Sequence, residues 1–145
     1  IDPLAIARGD DVPAAALGWV QTRLSAVQPV LFYATAEASS VAAVQAQLGV
    51  AQAGEAVERV LSQVARGLVE RGVRQLVVAG GETSGACVQA LGIERLRIGP
   101  QIAPGVPWCH AACAAAGDDG LHIALKSGNF GAADFFGGAF EVLPV

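Results

Sequence analysis

The sequence contains no methionine, a single lysine at position 126, and only 6% aromatic residues. Its basic residues are scattered and its net charge is −4, with an isoelectric point near 5.0. A nucleic-acid partner usually demands a clustered basic face, so that class is set aside. No apolar run approaches the length of a bilayer span, and no charged-then-apolar leader opens the chain. The expectation is a soluble, cytoplasmic protein without a membrane partner. Three cysteines, Cys87, Cys109 and Cys113, make no even disulfide framework. Cys109-His110-x-x-Cys113 lacks a second ligand pair at conventional zinc spacing, so reduced thiols and no metal site are expected. The missing methionine and the opening Ile1-Asp2-Pro3 lead us to expect an excised domain whose partner lies upstream.

What is present is small and apolar. Hydrophobic residues make up 53% of the chain, much of it alanine, and Gly 18 implies many turns or close backbone approaches. At 145 residues the chain fits one domain, 1–145, large enough to bury a core. Helical and extended patterns alternate, which predicts a layered α/β/α domain with a mostly parallel central sheet.

Helices are expected at 13–26, opened by Pro13, and from a Ser39 or Ser40 cap to about Leu48. A third is expected at 55–71, where Val57, Val60, Leu61, Val64 and Leu68 form one stripe and Gly72 ends it. Val30–Thr35 and Gln75–Ala79 read as buried strands joined by a right-handed parallel crossover. Residues 83–91 read as a helix and 96–98 as a strand. The proline-rich 99–108 stretch is expected to be a loop leading to an edge strand, and 114–120 a small mobile turn. A strand at 121–125 and a helix over 132–142 close the chain.

The most informative segment is the loop Gly80-Gly81-Glu82-Thr83-Ser84-Gly85. A buried strand ends in two glycines, two hydroxyls follow, and a helix begins. A helix N-terminus leaves N–H groups without partners and its dipole favours anions. Glycine lets a phosphate approach the backbone without a Cβ in the way. Gly80 and Gly85 have the four-residue gap of a Walker A loop, but Ala86-Cys87 replaces its Lys-Ser/Thr pair. The dinucleotide pattern is absent too. Anion binding and an ordinary turn capped by Thr83 or Ser84 both stay open on this evidence.

A second loop, Lys126-Ser127-Gly128-Asn129-Phe130-Gly131, follows the 121–125 strand. If both strands run parallel, both loops gather at their carboxyl ends, where open α/β sheets bind ligands. Gly128 would admit a nucleotide, Lys126 would supply charge and Asn129 a neutral hydrogen bond; a merely solvated lysine is the alternative. Asp134 reads as a helix cap in preference to a metal ligand. Trp108 reads as core in preference to an adenine-pocket wall, and Trp19 as helix packing. His122 reads as a packed strand residue. Glu82 beside a phosphate needs Mg²⁺ or water between them.

Three runs now taken together resemble the four-carbon acid sugar kinase family. They are Val77–Gly85, Arg97–Trp108 and Ala124–Gly131, with Asp2-Pro3-Leu4 at the start. The resemblance spans essentially the whole chain. It implies an ATP-binding C-terminal domain of a larger two-domain kinase acting on 3-oxo-tetronate, erythronate or threonate. It also implies nucleotide contacts at Gly81, Glu82, Thr83, Ser84 and Gly128, with Mg²⁺ bridging the phosphates. The sugar acid and the catalytic base would belong to the upstream domain, so no catalytic residue is assigned here. Homo-oligomers remain open. Cys87, the alanine-rich 109–120 stretch and the Phe135-Phe136-Gly137-Gly138 tail depart from the family pattern. Some relatives have been described as Hrp-dependent type III effectors, so a non-catalytic interaction or effector protein is the competing expectation. An enzyme for coenzyme A or a nucleotide sugar is a third.

Overall fold

The computed structural model describes residues 1–24, 28–128 and 131–143. They fall into two units, 1–64 and 65–145.

The first unit is helical. Asp2 accepts from the Leu4 amide at 2.9 Å and caps α1 (Pro3–Ala7). Asp11 accepts from the Ala14 amide at 3.0 Å and caps α2 (Val12–Val20). Each pairs a short acceptor with a first-turn proline, the favoured way to open a helix. α2 ends before the expected 26, although residues 25–27 lie outside the described set. α3 (Ala38–Leu48) begins after Glu37 with no side-chain cap, so Ser39 and Ser40 lie inside the helix. Gln47 Nε2 donates to the Ala7 carbonyl and ties α3 to α1. The expected strand at 30–35 does not form. Its apolar run lacks a partner ladder, and Leu31 and Tyr33 are exposed. The terminal amine donates to the Tyr33 carbonyl at 2.9 Å.

α4 (Val50–Glu70) begins five residues before the expected start at 55. Val60, Val64, Leu68 and Val69 are buried, as a one-sided helix requires. Gly72 at φ +98 ends it, and Val73 N–H reaches back to the Leu68 carbonyl.

The second unit is built on a four-stranded sheet, order β1-β4-β3-β2, of β1 (Gln75–Ala79), β2 (Arg97–Ala103), β3 (Val106–Cys113) and β4 (Gly117–Lys126). β1 and β4 pair parallel, while β4-β3 and β3-β2 pair antiparallel. The layered α/β class holds, but the sheet is mixed where a mostly parallel one was expected. Short connections explain it: no crossover helix separates β2, β3 and β4, and hairpins force antiparallel pairing. Within the proline-rich stretch Pro100 is tolerated because β2 lies at an edge, where a proline need forfeit no ladder bond. Register shifts between Ile98 and Ala103 accommodate the irregularity. β4 starts at Gly117, so the expected turn shrinks to a 3-10 segment at Ala114–Ala116.

Two apolar layers sandwich this sheet. On one face Val78, Cys109, Ala111, Leu121 and Ile123 pack with Ala65 and Val69 of α4 and with Cys87 and Leu91 of α5 (Gly81–Ala90). On the other, Trp108, Ala124 and Val106 pack against Phe135 of α6 (Phe135–Gly138), Ala139 and Leu143. The expected long final helix is thus a single α-turn followed by a 3-10 turn, Ala139–Val142. Strand alternation sends Cys109 and Cys113 into the first layer and His110 to the opposite face. The three side chains of that motif therefore do not converge.

Candidate functional site

β1 and β4 are neighbours, and their parallel register pairs Ala79 with Lys126. One residue further, the Gly80 N–H donates to the Lys126 carbonyl at 2.8 Å. Both glycine-bearing loops therefore leave the same end of the sheet side by side, which is the carboxyl-end location where open α/β sheets take ligands.

Gly80 is the turning point. It sits at φ +105, a conformation L side chains rarely adopt, and an added Cβ would meet Thr83 Oγ1 at 3.2 Å. That turn launches α5 with no side-chain cap, contrary to the reading of Thr83 or Ser84 as capping residues. The first intrahelical bond is Ser84 N–H to the Gly80 carbonyl at 2.9 Å. The N–H groups of Gly81, Glu82 and Thr83 precede it and have no acceptor within the helix. The space over them is open: a Cβ on Gly81, Gly85 or Gly128 would meet nothing within 4 Å. Ser84 is nine-tenths buried, yet its Oγ has no hydrogen-bond partner among the described residues. A buried hydroxyl left unpaired costs about 1–3 kcal/mol, so it favours a ligand that would satisfy it.

Lys126 departs from the solvated-lysine reading, since only 8% of it is exposed. Its Nζ donates to the Gly128 carbonyl at 2.9 Å and to the Ser127 carbonyl at 3.4 Å. The Phe135 and Phe136 rings lie 5.6 and 6.0 Å from it. No carboxylate among the described residues lies within salt-bridge distance. The result is a buried positive charge balanced, among the described residues, by carbonyls and rings. From the sequence Phe135 and Phe136 stood out as a departure from the family pattern and not as neighbours of Lys126; the aromatic pair following a glycine-rich loop was the available signal.

Glu82 lies exposed in the first turn of α5. Asn129 lies outside the described residues. Asp134 stands at the start of α6, but its side chain makes no cap, against expectation. Trp108 is fully buried and donates to the Ala139 carbonyl at 2.8 Å, which makes it core. Trp19, expected to be packed, is 49% exposed, edge-on to Phe32 with Arg23 over its ring. Among the described residues no group of three potential metal ligands occurs, and no helix is long and apolar enough to cross a membrane.

An uncapped glycine turn, a buried hydroxyl without a partner and a buried ammonium with no carboxylate partner among the described residues thus lie where the two loops leave the sheet. A family model described as a nucleotide-binding C-terminal domain matches residues 1–136, and the chain belongs to that family. It is 56% identical over 143 residues to a 3-oxo-tetronate kinase of Burkholderia multivorans, covering 99% of this chain and 32% of that protein. A 3-oxo-tetronate kinase of Cupriavidus necator is 55% identical over the same length, again covering 99% and 32%. A crystal structure of a Haemophilus influenzae protein superposes with a TM-score of 0.83 at 38% identity, covering 97% of this chain and 33% of that one. The chain thus spans about a third of the length of the curated relatives it matches. None of these names supports an effector-like reading.

Proposed function

We propose that this chain is the ATP-binding part of a two-domain kinase that phosphorylates a four-carbon sugar acid of the 3-oxo-tetronate type. The observation that supports the nucleotide reading is the Gly80–Lys126 backbone bond, which sets the two glycine-bearing loops side by side. In this reading the N–H groups of Gly81, Glu82 and Thr83 hold phosphate oxygens, and the Ser84 hydroxyl donates to one of them. Gly80, Gly81, Gly85 and Gly128 keep the approach clear. Lys126 turns from the Gly128 carbonyl toward the phosphates, and Asn129 adds a neutral contact.

Mg²⁺ fits this arrangement through few protein ligands, since it is commonly held by one or two carboxylates together with phosphates. Glu82 is the carboxylate on the loop itself, and its charge beside phosphate is tolerable with a cation between them. When bound, that ion neutralises charge on the β- and γ-phosphates.

The chain's own contribution to transfer is positional. Fixed N–H groups and Lys126 orient the γ-phosphoryl group and stabilise charge as its bond to the β-phosphate oxygen breaks. The acceptor hydroxyl forms the new O–P bond and gives its proton to a base on the upstream domain. Alone, the chain binds ATP weakly and turns nothing over. Joining it to the upstream two-thirds of the Burkholderia multivorans kinase should give ADP release that depends on 3-oxo-tetronate, erythronate or threonate. ADP release that no acid of this class stimulates would contradict the proposal.

A further inference from the structure

A small cavity of about 210 Å³ lies between the end of β2 and α6, its walls including Ile102, Ala103, Asp134, Phe135, Gly138 and Ala139. Its position follows from the topology. β3 runs antiparallel to β4, with Trp108 opposite Ala124, so the β2–β3 turn lies at the sheet end where β4 terminates. Ile102 and Ala103 arrive there from β2, and α6 brings the remaining walls. Lys126 links cavity and loop: its carbonyl accepts from Gly80, while its ammonium lies 5.6 Å from the Phe135 ring centre.

The lining chemistry is that of a ligand fragment's seat. Ile102, Ala103, Phe135 and Ala139 are apolar. Asp134 is the one charged wall, and its carboxylate makes no cap to α6 although it stands at the cap position. The volume falls below the several hundred Å³ typical of sites that enclose whole small molecules. Apolar walls with one convergent acceptor suit a flat ring carrying hydrogen-bond donors.

We infer that this cavity holds the nucleoside end of the donor, with the base between the apolar walls and Asp134 accepting from its donor groups. The inference rests on the phosphate reading of the glycine loop. It adds residues outside both glycine loops: the β2–β3 turn and α6.

Gly138 provides the test. It sits at φ −72, ψ −20, and an added Cβ meets nothing within 4 Å, so Gly138→Leu fills the cavity without backbone strain. Mg-ATP and Mg-tripolyphosphate are titrated into the chain and into Gly138→Leu, with circular dichroism melting as the folding control. Wild type should bind ATP at least about tenfold tighter than tripolyphosphate, a gap of about 1.4 kcal/mol. Gly138→Leu should erase that gap and leave tripolyphosphate affinity within about twofold. Asp134→Asn, which preserves volume, should weaken ATP several-fold without weakening tripolyphosphate, and it decides the matter if Gly138→Leu unfolds. Equal affinity of wild type for both ligands, or an ATP advantage that survives these variants, overturns the nucleoside seat while the phosphate site stands. Binding of neither ligand by wild type sinks both.

Discussion

The Gly80 amide and the Lys126 carbonyl lie 2.8 Å apart, and this bond continues the β1–β4 ladder one residue past the strands. It fixes the spacing between the turn that frees three helix N–H groups and the chain's sole lysine. Loops joined in this way need little rearrangement to meet one ligand, which lowers the ordering cost of binding.

Gly80 and Gly81 should respond differently to substitution. Gly81 has open space around it, so Gly81→Val should fold normally and lose nucleotide binding, because its side chain occupies the phosphate position. Gly80→Ala forces a Cβ into a left-handed conformation near Thr83 Oγ1 and should cost about 1–3 kcal/mol of stability. Urea unfolding beside nucleotide titration separates the two effects. A Gly80→Ala chain as stable as wild type would show that the turn is not built as described.

Lys126→Met removes a buried ammonium that has no carboxylate partner among the described residues. Stability should hold or rise, since burying a charge without a counter-charge is unfavourable. Affinity for tripolyphosphate should drop about tenfold to a hundredfold, the span of about 1.5–3 kcal/mol for a charged hydrogen bond. The salt dependence of binding should flatten in parallel. A marked loss of stability with unchanged affinity would make Lys126 a structural residue.

Trp108 anchors the C-terminal layer through its Nε1–H bond to the Ala139 carbonyl. Trp108→Phe keeps most of the ring but strands that carbonyl, at about 1–3 kcal/mol. Trp108→Ala should cost about 3–5 kcal/mol by emptying a fully buried site. Urea midpoints of both variants check the order; a Trp108→Phe midpoint equal to that of wild type would show that the bond contributes nothing.

The pH profile of stability should be a plateau with two limbs. Burial, then the nearby charges of His110 and Arg97, hold His122 below its ordinary 6.5. The folded state therefore takes that proton less readily than the unfolded chain. Its contribution is present above about pH 6.5 and is lost as the pH falls through the lowered value. Burial raises the Cys87 thiol from 9.0 to about 11, and that contribution is complete below pH 9.0 and lost as the pH rises through about 11. Arg97→Gln should soften the acid limb and Cys87→Ala the alkaline one. A profile that neither substitution alters would contradict these assignments.

Much of this arrangement was legible in the residues. The α4 stripe, the Gln75–Ala79 strand and the glycine loop needed only periodicity and turn chemistry, which are local. The gathering of the loops was expected on the condition that the two strands run parallel, and parallel pairing holds for one strand pair of three. What was not legible depends on partners distant in sequence. Val30–Thr35 has the composition of a buried strand, but composition cannot supply a neighbouring ladder. Pro100 reads as a loop residue until β2 is known to lie at an edge. The burial of Lys126 depends on Phe135 and Phe136, and the orphaned Ser84 hydroxyl on packing that no motif encodes.

The most direct test of the phosphate site is an amide-resolved titration of the chain with Mg-ATP. The N–H resonances of Gly81, Glu82 and Thr83 should shift saturably, together with Gly128, and Gly81→Val should abolish the response. If those amides stay unmoved at millimolar nucleotide while the chain remains folded, the account of the glycine loop as the phosphate site is contradicted.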